Sequence, residues 1–333
     1  MNDTSYPSGW FPIATSKELK KKPVRKETCG KAVVLYRTKD GSPACLYDRC
    51  PHRSAPLSSG RVVDGDIECP YHGWRFNGEG RCTLIPFHEG ELPSRFAPTI
   101  PVREKHGLIF AHHGNTDDEI YTPFWVGEGK TMRRIIPTVA KTNLLSVMEN
   151  ILDTTHTAFT HKNLMRGMTG KHQDVNIALS ENDGMLQLIL TGEKQQDGLI
   201  SKLTESNRTG STTNILAPGI VEAVYWHNEK INIVTTVFLS PVSEDETRGF
   251  IVLTTNKNHG LAYLKAAVFL PIFNKIIRQD QDILGASHAN WKSFGSPKNA
   301  VSPLDYMRPN LEALLQRQEP PAAKEPLSFV LKI

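Results

Sequence analysis

The stretch CPHRSAPLSSGRVVDGDIECPYHGW, residues 50–74, constrains this chain more than any other feature. It contains two short pairs, C-P-H at 50–52 and C-P-Y-H at 69–72, separated by sixteen residues. The Asp64-Gly65 dipeptide between short apolar runs predicts a β-hairpin in that interval. Cysteines and histidines paired at such spacing are typical metal ligands. The sequence therefore predicts two loops that bind one metal centre, joined by a hairpin.

Two kinds of centre compete for these four side chains. Structural zinc would place all four around one tetrahedral ion, whereas a [2Fe–2S] cluster would take two cysteines on one iron and two histidines on the other. A single residue separates Cys50 from His52, which is fewer than zinc fingers usually have. The stretch resembles the Rieske motif, C-x-H followed by C-x-x-H. This resemblance implies that Cys50, His52, Cys69 and His72 bind a Rieske [2Fe–2S] cluster.

The resemblance also indicates which kind of Rieske centre this is. Respiratory Rieske proteins tie the two loops by a disulfide, but Ala55 and Tyr71 stand at those positions here. They also donate Ser and Tyr hydroxyls to sulfur, and the corresponding residues here are Trp74 and Phe76. Fewer donors to sulfur stabilise the reduced cluster less. We therefore expect a reduction potential toward the low end of the roughly −150 to +300 mV Rieske range.

A second cluster of ligand-type side chains lies in MENILDTTHTAFTH, residues 148–161. It contains Asp153, His156 and His161, and two histidines with a carboxylate are typical of non-haem Fe(II) oxygenases. On its own, this segment could equally be a helix with structural histidines. Residues five apart on a regular helix point about 140° away from each other. His156 and His161 can therefore meet at one metal only if the helix is distorted or ends between them.

A further carboxylate ligand is expected from FNKIIRQDQDILGASH, residues 273–288, which has helical periodicity. Asp280 falls within its apolar stripe, and a carboxylate on a buried face is costly unless it is paired or binds metal. Asp282 falls on the polar side, where it is expected to pair with Arg278. Asp280 is therefore the better ligand. The apolar stripe consists of Ile276, Ile277, Ile283 and Leu284.

With the Rieske motif upstream, the chain resembles the α subunits of Rieske non-haem iron oxygenases from about Trp10 to Asp282. The family pattern N-x-x-D-x-x-H-x-x-x-x-H is met at 150–161. The resemblance implies a head-to-tail homotrimer, and it picks Asp280 as the third iron ligand. It implies the following roles: iron ligands His156 and His161; a bridging carboxylate, Asp153; and a polar residue beside the iron in the monooxygenase and demethylase branch, Asn150.

The expected fold is α+β with two domains. An all-β Rieske domain is predicted over residues 1–117, followed over 118–333 by an α+β catalytic domain with an antiparallel sheet flanked by helices. That sheet is expected to wall the substrate pocket, and the specificity region is expected between about Asn163 and Lys265. The Pro-rich tail from Gln318 is predicted to be flexible or draped over the surface.

The charge of the chain is uneven. Residues 1–82 contain 14 Lys and Arg against nine Asp and Glu, although the whole chain carries only +4. The run KELKKKPVRK at 17–26 is either a solvated face or a surface that steers an acidic protein partner. No nucleic-acid motif accompanies it. The chain has neither an apolar run of roughly 20 residues nor a signal peptide, so a cytoplasmic protein without membrane contact is expected.

Taken together, these features predict a terminal oxygenase that hydroxylates or oxidatively demethylates a small, aromatic or cyclic substrate with O₂. The chain has no nicotinamide or flavin fingerprint, so electrons from NAD(P)H would arrive indirectly through a separate reductase or ferredoxin. They would pass through the cluster to mononuclear Fe(II). Two alternatives remain open at this stage: a cis-dihydroxylating ring dioxygenase, and a Rieske electron carrier or redox sensor without oxygenase activity.

Overall fold

The computed structural model describes residues 6–92, 94–115, 118–124, 131–162, 164–165, 173–192, 209–227, 230–256 and 262–332, with the backbone alone for 227, 230, 232, 256 and 262–269. The chain divides into two compact units. The first comprises Met1–Tyr121 with Ser240–Glu244, and the second comprises Thr122–Leu239 with Asp245–Ile333. No described helix combines the length and the apolar character needed to cross a lipid bilayer.

The first unit consists of short antiparallel strands. They form three sheets, in the orders β1-β10-β9, β2-β3-β4 and β5-β6-β7-β8. A single 3₁₀ turn, Leu57–Ser59, precedes the third sheet. The strands are β1 (Gly9–Thr15), β2 (Val24–Thr28), β3 (Lys31–Arg37), β4 (Pro43–Tyr47), β5 (Arg61–Val63), β6 (Asp66–Glu68), β7 (Arg75–Phe76), β8 (Cys82–Leu84), β9 (Val102–Lys105) and β10 (Leu108–His113).

Strand β3 is the centre of this unit because it is buried on both faces. Val34 and Tyr36 pack in one apolar core, and that core also contains the two predicted cysteine ligands. Val33 and Leu35, which point to the opposite face, pack in a second core with β1 and β10. The cysteine ligands therefore sit on a rigid apolar support. The first core consists of Val34, Tyr36, Ala44, Leu46, Cys50, Leu57, Ile67, Cys69, Phe76 and Ala97.

The second unit contains one antiparallel sheet of eight strands, in the order β11-β17-β16-β15-β14-β13-β12-β18. Strict alternation of buried residues in β12 and β13 gives this sheet one apolar face. The strands are β11 (Thr131–Ala140), β12 (Asp174–Asn182), β13 (Met185–Thr191), β14 (Gly210–Leu216), β15 (Ile220–His227), β16 (Lys230–Ser243), β17 (Glu246–Asn256) and β18 (Leu327–Lys332).

Five described helices accompany this sheet. The longest, of 32 residues, carries the predicted ligand Asp280. Asn143 caps the first helix, because its side chain accepts a hydrogen bond from Ser146 N at 2.9 Å. The helices are α1 (Leu144–Leu152), α2 (Thr157–Thr160), α3 (Ala262–Ser293), α4 (Met307–Leu315) and α5 (Pro321–Lys324). The predicted α+β class, with an all-β N-terminal part, is confirmed, while the boundary at 117/118 stays a prediction.

Some sequence predictions are wrong. The tail is not flexible or merely draped: α5 begins at its prolines, and β18 pairs with β12 through contacts such as Phe329 with Ile177. The alternating residues of LSFVLK explain why the end of the tail forms a strand.

Two predictions about α3 also differ from the structure. The apolar stripe predicted on this helix is only partly buried, since Ile283 is 47% exposed. Arg278 and Asp282, both described, form no ion pair with each other; both are exposed, where such pairs contribute little.

Candidate metal centres

The two predicted cluster loops have the same local backbone geometry. Cys50 N donates to Ala55 O at 2.8 Å, and Ser54 N donates to Cys50 O at 2.9 Å. The second loop repeats both contacts in the same register: Cys69 N donates to Trp74 O at 2.8 Å, and Gly73 N donates to Cys69 O at 3.1 Å. Residues 54 and 73 both have positive φ, 59° and 70°. Each loop is therefore a closed turn around one cysteine, and glycine suits that φ in the second.

An acidic residue just before each loop cysteine anchors the start of that loop through hydrogen bonds or ion pairs. Asp48 accepts hydrogen bonds from Ser58 N and Ser58 Oγ, both at 2.7 Å. Glu68 pairs with Arg61 at 2.7 Å and with Arg75 at 2.8 Å across the hairpin. The hairpin itself forms as predicted, with Asp64 and Gly65 both at positive φ between β5 and β6. These contacts fix the ends of the loops that carry the candidate ligands.

The two kinds of candidate ligand differ in exposure. Cys50 and Cys69 are buried and are free thiols, whereas His52 and His72 are exposed, with ring centroids 4.6 Å apart. Burial, followed by contacts that include the neighbouring Cys69, raises the pKa of Cys50 to about 11. Two buried thiols and two exposed, adjoining imidazoles form the donor set of a Rieske [2Fe–2S] cluster, which these four side chains would hold.

Trp74 is a part of this site that the sequence analysis did not identify as a contact. Its ring stacks on that of His52, with centroids 4.6 Å apart and an interplanar angle of 10°. Such a stack restricts the rotation of the imidazole. In the sequence, only the position of Trp74 directly after His72 and Gly73 indicates that this side chain lies near the second loop.

The second candidate site forms where α1 ends. Asp153 Oδ1 accepts hydrogen bonds from Thr155 N and Thr155 Oγ1, both at 2.7 Å, and Thr157 Oγ1 donates to Thr154 O at 2.8 Å. These side chains compete with the helical backbone and stop α1. The chain then restarts as the one-turn helix α2, with His156 before it and His161 after it. Because α2 ends at His161, whose φ of −109° and ψ of 33° are not helical, the two histidines do not lie on one regular helix, which resolves the geometric difficulty raised by their spacing.

The structure brings His156, His161 and Asp280 together. One ligand atom from each lies within 4.8 Å of the others. Asp280 Oδ1 is 3.4 Å from His156 Nε2 and 3.1 Å from His161 Nε2. Asp282, in contrast, is exposed on α3 and has no part in this group.

These three side chains fit a divalent metal ion. Asp280 Oδ1 and His156 Nδ1 are buried, yet neither forms a hydrogen bond of good geometry with any described residue. Buried polar atoms without such partners are rare and require an explanation. Two imidazoles and one carboxylate form the donor set of the facial triad that holds non-haem Fe(II) with open positions. A metal ion would account for the convergence on Asp280 Oδ1.

Neighbouring charges set the protonation of this group. Burial alone would lower the pKa of His156, but contacts with Asp153 and Asp280 outweigh burial and raise it to about 9. Burial alone would raise the pKa of each carboxyl. Contacts with His156 and Thr155 instead lower that of Asp153 to about 2, and contacts with His156, His161 and Asn150 lower that of Asp280 to about 2. Both carboxylates are therefore ionised at neutral pH.

The remaining predicted residues lie around this group. Asp153 Oδ2 is 3.4 Å from His156 Nδ1, and the Asn150 side chain is one of the groups that lower the pKa of Asp280. The sequence analysis missed Gln279, whose Oε1 is 3.0 Å from His161 Nδ1. Much of the predicted specificity region, including Asn163, lies outside the described residues.

Comparison with family models identifies both parts of the chain. A model described as the Rieske [2Fe–2S] domain matches residues 9–101. A model described as the vanillate O-demethylase oxygenase C-terminal domain matches residues 140–310, just over half of the chain. The chain belongs to the Rieske non-haem iron oxygenases. Membership of this family confirms the resemblance inferred from the motifs and implies a Rieske cluster and a non-haem iron.

Curated relatives of this oxygenase match it over part of its length. A putative toluene-4-sulfonate monooxygenase system iron-sulfur subunit, TsaM2 from Comamonas testosteroni, is 37% identical over 46% of the chain and 45% of the relative. The oxygenase component of dicamba O-demethylase from Stenotrophomonas maltophilia is 39% identical over 32% of each. The chain thus spans less than half the length of each of these relatives.

Solved structures show the same fold over nearly the whole oxygenase. Dicamba monooxygenase bound to dicamba superposes with a TM-score of 0.80 at 20% identity, covering 93% of this chain and 96% of that one. Pseudomonas putida CBB5 NdmA with caffeine gives 0.77 at 19% identity and covers 96% of both chains.

Metal binding at the second centre should release a proton. Because the pKa of His156 is about 9 in the metal-free site, this imidazole carries a proton at pH 7 that a metal ion must displace. We expect about one proton released from His156 per metal ion at pH 7, and an affinity that rises between pH 6 and pH 9. Calorimetric titration of metal-depleted protein with Co(II), in buffers of different ionisation enthalpy, measures both. An affinity independent of pH would contradict this expectation.

Proposed function

We propose that this oxygenase is the terminal component of a multicomponent system that hydroxylates or oxidatively demethylates a small aromatic or cyclic molecule. The observation that carries the proposal is the convergence of His156, His161 and Asp280 in a chain that also carries the two Rieske loops. The relatives support it, since they include a putative monooxygenase subunit and an O-demethylase component. A cytoplasmic location stays a prediction from the sequence.

The residues divide between two bound groups. Cys50, His52, Cys69 and His72 would hold the [2Fe–2S] cluster, and His156, His161 and Asp280 would hold mononuclear Fe(II). When bound, these groups supply one-electron transfer and O₂ activation, with electrons from NAD(P)H delivered through a separate reductase or ferredoxin.

The polar side chains near the iron ligands have supporting roles in this proposal. Asn150 is one of the groups that lower the pKa of Asp280, so its polar side chain would help to keep that carboxylate ionised beside the iron. Asp153 accepts two hydrogen bonds from Thr155, which hold its second oxygen toward His156 Nδ1. A carboxylate at this place orients the imidazole and favours the tautomer that binds metal through Nε2. Asn150 is also the residue that favours monooxygenation over cis-dihydroxylation by family resemblance.

The oxygen balance of the reaction tests this function. Purified oxygenase, a surrogate reductase and NADH would be screened with methoxylated and N-methylated aromatic compounds under ¹⁸O₂. Monooxygenation places one labelled atom in the hydroxylated product, or in the formaldehyde that demethylation releases and that must be trapped as it forms, and it reduces the other atom to water with two electrons from the donor. A cis-diol carrying two labelled atoms would establish the dioxygenase alternative. If the screen were extended across cyclic substrates and iron-loaded enzyme still consumed no O₂ with any of them, the oxygenase proposal would be wrong.

We further propose a head-to-tail homotrimer, as the family resemblance implies. Large apolar side chains are exposed in the unit that carries the Rieske loops, including Tyr71 at 62% and Phe96 at 52%. In the other unit, Phe159 at 84% and Ile151 at 39% are exposed on either side of Asp153 in the sequence. Exposed apolar groups of this size often mark protein interfaces. Pairing the first set with the second set of another copy would bury both and would bring His72 of the partner subunit to Asp153.

The basic run should be where the electron donor docks. Lys20, Lys21 and Lys22 are exposed, and they form no ion pair with a described residue. Changing all three to Glu should slow reduction by an acidic ferredoxin, most strongly at low salt, because screening weakens long-range attraction. Stopped-flow reduction across a salt series measures this. The matched control reverses three exposed lysines of the other unit and should leave the rate nearly unchanged: Lys275, Lys298 and Lys332. Equal reduction rates in both variants would show that the run at 17–26 is a solvated face with no role in docking.

A further inference from the structure

One side chain beside the iron site has no role in the function described so far. Gln279 directly precedes the ligand Asp280 on α3, and its Oε1 lies 3.0 Å from His161 Nδ1. His161 is 1% exposed at its side chain, so no bulk water can replace this contact. A buried imidazole N–H left without an acceptor is costly. Gln279 is therefore the acceptor on which the His161 ring depends.

The contact has a direct consequence for the ligand atom of His161. An amide oxygen only accepts, so Nδ1 must carry the hydrogen that it donates to Gln279. The other ring nitrogen, Nε2, is the one that lies 3.1 Å from Asp280 Oδ1. With Nδ1 protonated, the lone pair of the neutral ring is on Nε2, where a metal ligand is needed. The hydrogen bond thus sets both the tautomer and the orientation of the ring.

The residues that follow Gln279 show how α3 is fixed in an orientation that directs the Gln279 side chain to His161. Successive helical residues point about 100° apart, so three in a row reach different partners. Gln281 Nε2 donates to Thr138 Oγ1 and to Val139 O, both at 2.7 Å, which ties α3 to β11. Asp280 points to the histidine pair, and Gln279 points to the far side of His161.

We propose that Gln279 is a positioning residue for the iron site, one that holds His161 in the tautomer and orientation that bind metal through Nε2. The inference rests on the proposed assignment of His161 as an iron ligand. It goes beyond that assignment because it gives a role to a side chain that touches neither the metal nor the substrate. Partners of this kind typically contribute 10- to 100-fold in metal affinity.

Metal affinity, rather than turnover, tests the proposal. Full-length protein with an intact Rieske centre would be depleted of mononuclear metal and titrated with Co(II), whose visible bands report its coordination. Gln279→Leu removes the acceptor at similar size, whereas Gln279→Glu keeps an acceptor at the same place. We expect Gln279→Leu to weaken Co(II) binding about 10- to 100-fold and to shift the visible bands. Gln279→Glu should restore affinity to within about twofold of the original protein or better.

Controls separate this proposal from the one on which it rests. Asp282→Asn removes an exposed carboxylate on the same helix and should leave Co(II) binding unchanged. An unaltered Rieske spectrum and melting temperature would show that each variant is folded. If Gln279→Leu binds Co(II) within about twofold of the original, or if Gln279→Glu loses as much as Gln279→Leu, the positioning role is wrong while the iron site stands. If His161→Ala keeps Co(II) affinity, the ligand assignment itself fails, and this inference fails with it.

Discussion

Replacing Cys69 by serine should give a colourless protein that has lost about two irons per chain and its Rieske electron-paramagnetic signal. The Cys69 thiol is buried within the same apolar core as Cys50, and its backbone is held by Trp74 O and Gly73 N. A serine hydroxyl fits the same space, but it is not a thiolate and does not hold iron as strongly. Absorption and paramagnetic spectra, with iron analysis, measure the loss.

Cys82→Ser is the matched control for this change. Cys82 packs at the edge of the same core, but it belongs to neither loop, and its Sγ contacts only Leu84 O among described hydrogen-bond partners, at 3.7 Å. Its spectrum should match that of the original protein. A coloured Cys69→Ser protein with an unchanged signal, or equal bleaching by Cys82→Ser, would overturn the cluster assignment.

Asp153→Asn should leave both metals bound and yet reduce turnover by about 100-fold. The carboxylate is ionised at neutral pH, because its contacts with His156 and Thr155 lower its pKa to about 2 despite burial. Asparagine has nearly the same shape but carries no charge. It therefore accepts a hydrogen bond from the Nδ1–H of the neutral His156 ring less strongly, and its NH₂ group would place a donor where the carboxylate has an acceptor.

Iron content, the Rieske spectrum and steady-state turnover together measure this effect. Asp174→Asn, an exposed carboxylate of the same unit, serves as the control and should keep full activity. If Asp153→Asn keeps full activity while Asp153→Ala does not, geometry rather than charge is what matters. If Asp153→Ala itself turns over at the original rate, Asp153 has no part in coupling the two centres.

Local sequence signals predicted the parts of the structure that local physics determines. The Asp64-Gly65 turn and the alternating strands on either side of it lie where they were predicted. Strand β3 consists of β-prone residues, KAVVLYR, but its burial on both faces depends on the rest of the unit. The family pattern at 150–161 predicted His156 and His161 as iron ligands, and the apolar periodicity of α3 favoured Asp280 over Asp282. In the structure, Asp280 is the one that lies beside both histidines.

The features that were not predicted depend on partners far apart in the sequence, or on side chains that compete with the helical backbone for hydrogen bonds. Gln279 reaches a histidine 118 positions away, and nothing near it in the sequence marks that contact. The end of α1 follows from the Asp153 side chain bonding to Thr155, which was visible in the sequence as a D-T-T triplet but was not weighed. The tail differs from the prediction because the alternating residues 327–332 form a strand beyond its prolines. Paired with β12, that short segment becomes an edge strand.

Iron analysis of three matched proteins tests the central claim, that one chain holds a Rieske cluster and a separate iron at His156, His161 and Asp280. The original protein and Asp282→Ala should each contain about three irons per chain, two in the cluster and one mononuclear. Asp280→Ala should contain about two, with an unchanged Rieske spectrum and no oxygenation. Asp280→Ala protein that keeps three irons, or an Asp282→Ala protein that loses one, would contradict the account.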